Sequence, residues 1–105
     1  MEIKTIQDCL KFRLLRKIPI DKAKSKSSIE IARLKLKDAE KAFELKIFEF
    51  VIIQAYMAIF HASRALLYKD GIQEKSHFAI YINLKESYSK KIPISILNLL
   101  NIHRT

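Results

Sequence analysis

The sequence is short of turn-formers and of sulfur: one Gly, two Pro, one Cys and no Trp in 105 residues. An all-β fold needs a turn every 8–12 residues or so, and this chain lacks the glycine and proline to make them. One glycine also excludes a Gly-rich phosphate loop. A lone Cys9 excludes an intramolecular disulfide and any zinc site built from several thiolates; it falls beside an apolar stripe and reads as a buried thiol. Acidic residues are scarce as well, 11 against 20 Lys plus Arg, for a formal net charge of +9. Disorder is excluded because half of the chain is apolar.

What is present is helical periodicity. A chain of this length makes one domain, here residues 1–105, and buries roughly 60–70% of its unfolded surface. Ile3, Ile6, Leu10 and Leu14 keep the spacing of one helix face, which predicts a first helix over 1–17 ended by Pro19. The Lys- and Ser-rich segment 19–28 reads as a loop, and Ser27 with Glu30 as a capping box opening a second helix. That helix carries a stripe of Ile29, Ala32, Leu36, Ala39 and Phe43, and its end is expected near Leu45 or Lys46.

From Ile47 to Tyr68 the chain is apolar nearly all round and about long enough to span a bilayer. Glu49, Gln54, His61 and Arg64 interrupt it, and charges at mid-membrane depth cost about 3 kcal/mol each. A central helix buried in a soluble bundle is therefore expected, with no membrane partner. Gly71 suits the left-handed residue that closes it. Ser76 caps a further helix to about Tyr88, and Pro93 opens a last one over 94–105, where Leu97 and Leu100 are apolar positions a partner chain would cover. No leader with an apolar core precedes these elements, so a cytoplasmic location is expected.

Charge collects at the two ends. Residues 1–26 hold 8 basic and 3 acidic side chains, residues 27–75 hold 8 and 7, and residues 76–105 hold 4 and 1. Such a surface concentrates polyanions, RNA among them, without reading sequence. No metal site is expected, because His61, His77 and His103 stand on separate elements without ligand spacing, and no cofactor motif is present. His61 and Arg64, three apart, can project into one shallow site: Arg forks onto phosphate oxygens and His moves a proton near neutral pH. The bland alternative pairs Arg64 with Glu49 or Glu74.

The run Gln54-Ala-Tyr-Met-Ala-Ile-Phe-His-Ala-Ser-Arg-Ala-Leu-Leu-Tyr68, then Gly71-Ile72 and Lys75-Ser76-His77, resembles the HEPN domain, in particular its small stand-alone archaeal and bacterial members. Met57 departs where a second Tyr is common. The resemblance implies an all-α antiparallel bundle of about five helices, usually a homodimer. It further implies a toxin encoded beside a nucleotidyltransferase antitoxin partner, or a nucleotide- or RNA-binding module. In the RNase members an Arg, four to six residues and a His near the last helix meet across the dimer cleft. There the His assists attack of the RNA 2′-hydroxyl and the Arg stabilises the developing charge, with no metal. Arg104 stands where that motif would begin, but no Arg in this chain is followed by a His at the required spacing. Three readings follow: a non-catalytic module binding nucleotide or RNA through His61, Arg64 and His77; an RNase toxin using Arg104 with His103, His61 or His77; and a degenerate or truncated remnant.

Overall fold

The computed structural model describes residues 2–88, 90–92, 94 and 98. The expected helix over 94–105, with Leu97, Leu100, His103 and Arg104, lies outside the described residues, the isolated 94 and 98 aside.

The first segment is not one long helix. Helix α1 spans only Ile6–Lys11, with the Thr5 side chain accepting from the Asp8 backbone and Asp8 reaching back in a capping box. Arg13 then takes a left-handed φ of 60° and turns the chain. Strand β1, Leu15–Lys17, follows. A spacing of Leu10, Leu14 and Ile18 fits a helix as well as a turn and a short strand. The strand prevails because a partner edge is waiting: β1 pairs antiparallel with β2, Ile72–Glu74, in the register Leu15↔Glu74 and Lys17↔Ile72.

Helix α2 spans Lys22–Glu44, and its cap is Asp21, whose carboxylate accepts from the Lys24 backbone at 2.9 Å. The expected Ser27 capping box is therefore corrected: the supposed loop is the first turns of the helix. There Ser25 Oγ donates to the Ala65 carbonyl at 2.8 Å, and Ser28 is buried. An Asp cap adds the attraction of a carboxylate to the helix N-terminus, and the Lys side chains of those turns lie in water. The turn at Leu45 and Lys46 is where the sequence puts it, with Lys46 left-handed at φ 63°. Helix α3, Phe48–Lys69, runs back along α2 and stops at Gly71, φ 71°, as expected. Helix α4, His77–Tyr88, begins under the Ser76 hydroxyl, which accepts from the Ala79 backbone at 3.2 Å.

The described residues form four helices and a two-stranded ribbon, mostly α as the expected all-α helical fold requires, and the expected fifth helix lies outside them. The α2–α3 hairpin is the spine. The core gathers against one end of that spine, where Cys9, Leu15, Leu67, Ala79, Ile80, Ile82 and Leu84 form one buried cluster. Helix α3 is buried mainly over its C-terminal half; Phe48, Phe50, Ile52 and Ile53 are exposed, which corrects the expectation of a helix covered throughout. By length and composition α3 could cross a membrane, and 22% of that apolar window is buried inside the molecule.

Candidate functional site

Two flanks of α3 are involved. Tyr56, Phe60 and Arg64 recur every four residues and so lie along one strip, facing β2 and the start of α4. The Tyr56 hydroxyl and Nδ1 of His77 lie 3.1 Å apart, a shared hydrogen bond that ties α3 to the first residue of α4. Burial pushes the Tyr56 hydroxyl above its ordinary value, so it keeps its proton. The Phe60 ring sits 4.4 Å from the His77 ring and 5.2 Å from the His61 ring, centre to centre.

Arg64 threads between aromatic rings. Its guanidinium lies 5.5 Å from the Phe60 ring centre and 5.7 Å from that of Tyr68, at i−4 and i+4. Its Nε meets Glu74 Oε1 at 2.7 Å, and Nη2 donates to the Tyr68 hydroxyl at 2.9 Å. Of the two carboxylates weighed from sequence, Glu74 is the partner. The ribbon puts it there, since Glu74 closes β2 opposite Leu15.

His61 is the open member. Its Nδ1 is buried and has no hydrogen-bond partner. Burial pushes the imidazole below its ordinary value, and the charges of Arg64 and of Lys35 on α2 push the same way. Its uncharged ring therefore stands beside the Arg64–Glu74 pair with one nitrogen unpartnered.

The structure brings His61, Arg64 and His77 together around Phe60. His103 and Arg104 lie outside the described residues, so their placement relative to this cluster is not part of the site. Sequence reasoning missed Phe60 as the hub and Lys35 as a neighbour. The Phe60–Arg64–Tyr68 strip was readable as an i, i+4, i+8 repeat, whereas the Phe60–His77 contact and the influence of Lys35 depend on how α4 and α2 pack on α3, which no local pattern states.

The HEPN domain family model matches residues 25–104. A protein of Methanocaldococcus jannaschii named "Putative toxin MJ0605" is 36% identical over 70 residues, covering 61% of this chain and 52% of the relative. The chain spans about half the length of that curated relative. No solved structure matches the chain.

Proposed function

The chain belongs to the HEPN domain family, and from that premise we propose that it acts in the cytoplasm as a non-catalytic RNA-binding module with a toxin-type role. One observation carries the choice of binding over cleavage: of the three polar groups in the α3–α4 cluster, two are already engaged, and the third, His61, has its Nδ1 buried. Arg64 is paired with Glu74 at 2.7 Å, and His77 is held by Tyr56 at 3.1 Å. A guanidinium neutralised by a carboxylate has little charge left to stabilise a developing oxyanion. Exposed cations are in ample supply instead. Lys22, Lys24 and Lys26 open α2, and Arg13, Arg16 and Lys17 flank the ribbon beside it. Phosphates meet such groups as a sequence-blind polyanion, and a nucleotide is the smallest ligand of the same chemistry.

The test is anisotropy of a labelled single-stranded RNA titrated with protein in EDTA. Binding should weaken steeply with salt, with a log–log slope near −0.7 per phosphate contacted, and Lys22→Gln, Lys24→Gln and Lys26→Gln together should weaken it further. RNA that stays unbound at low salt ends the proposal. The toxin role and the nucleotidyltransferase partner belong to it through the relative's name and the family resemblance, and growth arrest on expression, relieved by a co-encoded nucleotidyltransferase, checks both.

A second reading has one specific support, the word toxin in the relative's name. In that reading Arg104 and His103 cut RNA without a metal. Cleavage in EDTA that Arg104→Ala abolishes would establish it and displace the first.

A further inference from the structure

Among the described residues Phe12, Phe43, Phe48 and Phe50 are the exposed phenylalanines. The last three sit about the α2–α3 turn beside Leu45, Ile47, Ile52 and Ile53, and belong to an apolar surface. Phe12 differs, because its neighbours are cations. Residues 11–17 read Lys-Phe-Arg-Leu-Leu-Arg-Lys, with four basic side chains and no acidic one. Lys11, Arg13, Arg16 and Lys17 are all exposed, while Leu15 is buried.

The backbone holds this group in place. Phe12 caps the C-terminus of α1, and Arg13 follows at a left-handed φ of 60°, a region that residues with a Cβ rarely enter. The Arg13 N–H donates to the Leu10 carbonyl at 3.2 Å, and the Leu14 N–H to that of Cys9 at 2.8 Å. Phe12 and Arg13 therefore stand at the crest of a closed turn. The Lys11 ammonium lies 5.7 Å from the Phe12 ring centre.

Arg16 is the second fixed point. Successive side chains of a strand point to opposite faces. Leu15 and Glu74, paired in register, face the spine; Arg16 and Gln73, the next pair, face away from it. There Arg16 donates to Gln73 Oε1 from Nη2 and, at 2.8 Å, from Nε. The contrast with Arg64 is one of charge. Arg64 meets a carboxylate, whereas Arg16 is held by a neutral amide and enters no ion pair among the described residues. Two of its five N–H groups are taken by Gln73, and three remain with the charge intact.

We propose that the α1–β1 turn and the outer face of the ribbon form a nucleotide subsite for single-stranded RNA. Phe12 stacks on a base, and Arg16, oriented by Gln73, forks onto a phosphate of the same strand. The subsite rests on the RNA-binding reading and says where a base, rather than the backbone alone, is met.

Lysine clusters attract any polyanion and do not tell one from another. An exposed ring among cations adds a π-face, on which any base stacks whatever the sequence. A guanidinium already held in one orientation loses less freedom on meeting a phosphate, and its planar fork matches two of the oxygens. Arg16 is four residues on from Phe12, at most about 14 Å away. About four nucleotides of a stacked strand cover that length at about 3.4 Å each. Phe12, Arg13 and Arg16 all precede residue 25, where the family match begins, so nothing in that match accounts for them.

The experiment is fluorescence anisotropy of the full chain with a labelled oligouridine of about twelve nucleotides, and with an abasic strand of the same length and charge. Both are titrated in EDTA, with circular dichroism as a check on folding. Wild type should bind oligouridine more tightly than the abasic strand. Phe12→Ala should weaken oligouridine binding at least about fivefold, the low end for one lost base stack, and leave the abasic strand unchanged. Phe12→Leu keeps the apolar packing of the turn without the π-face and should behave the same way. Arg16→Gln should weaken both strands and lower the salt slope by about 0.7, one phosphate fewer. Gln73→Glu leaves Arg16 in place but neutralises it, and should reproduce that loss. A wild type that binds neither strand ends the RNA reading and the subsite together. Oligouridine binding that resists Phe12→Leu, or that only equals binding of the abasic strand, overturns the subsite and leaves the RNA reading standing. Uridine monophosphate bound as tightly as the oligomer, and lost with Phe12→Leu, overturns it in favour of a free nucleotide.

Discussion

Arg64 and Glu74 form an ion pair across two elements, Nε to Oε1 at 2.7 Å, with the carboxylate side chain 11% exposed and the guanidinium laid between two rings. The pair fastens the ribbon to the spine. Removing one partner leaves a largely buried charge alone, which costs more than the pair itself contributes. Arg64→Gln is expected to destabilise the protein by about 1–3 kcal/mol. Adding Glu74→Gln should recover part of that loss in urea unfolding, because a neutral amide tolerates the site better than an orphaned carboxylate.

Tyr56→Phe deletes the hydroxyl that meets His77 while keeping the ring in place. The expected cost is about 0.5–1.5 kcal/mol. A shift in the midpoint of thermal unfolding measures it, and a loss of near-ultraviolet signal around α4 would locate it.

Gly71 is the one glycine, and its position demands it. Its φ is +71°, and a Cβ there would lie 2.9 Å from the Ile18 carbonyl oxygen, a backbone atom with no freedom to retreat. Gly71→Ala is expected to lower stability by about 1–3 kcal/mol through the left-handed strain and the clash together. Urea unfolding reads the change. An unaltered midpoint would mean the ribbon can shift away from α3.

Stability should fall in mild acid, and His61 supplies part of the reason. Burial, with help from Arg64 and Lys35, holds its pKa below the ordinary 6.5. The unfolded chain therefore takes up a proton that the native protein resists. The native state loses ground as pH drops below 6.5 and recovers it above, which is the sign expected of a depressed base. His61→Gln should flatten the dependence of the melting temperature on pH between about 7 and 5.

Cys9 is fully buried, and burial pushes its thiol above the usual 9.0, with Asp8 and Glu86 adding to the rise. It should ignore a disulfide reagent at neutral pH in the folded protein and react fully in denaturant. Reaction at equal rates in both would show that α1 opens freely.

How much of this was legible in the residues depended on the kind of signal. The Gly71 stop, the Ser76 cap and the turn at Leu45–Lys46 rest on local chemistry and stood where the sequence put them. The strand at Leu15–Lys17 did not announce itself, because three residues cannot separate a two-residue period from a helical one and the partner edge lies more than fifty residues away. Asp21 was overlooked as a cap because Ser27 and Glu30 offered a competing signature a turn and a half later. Periodicity placed Leu36 and Phe43 on one face correctly. It could not say that the face would be uncovered, which depends on where α1, α4 and the ribbon settle. In the site, the spacing of His61 and Arg64 was readable, whereas the Glu74 pairing required β2.

The ribbon has a consequence for where this domain begins. The family model matches from residue 25, yet Cys9 and Leu15 are completely enclosed and help wall in Leu67, Ile80 and Leu84. Cys9 and Leu15, both ahead of the family match, are therefore structural masonry of the same core. A fragment cut at the edge of the family match would keep the spine and α4 but open a hole in the wall that supports them. It should be recovered as an aggregating, poorly ordered chain rather than as a smaller working unit.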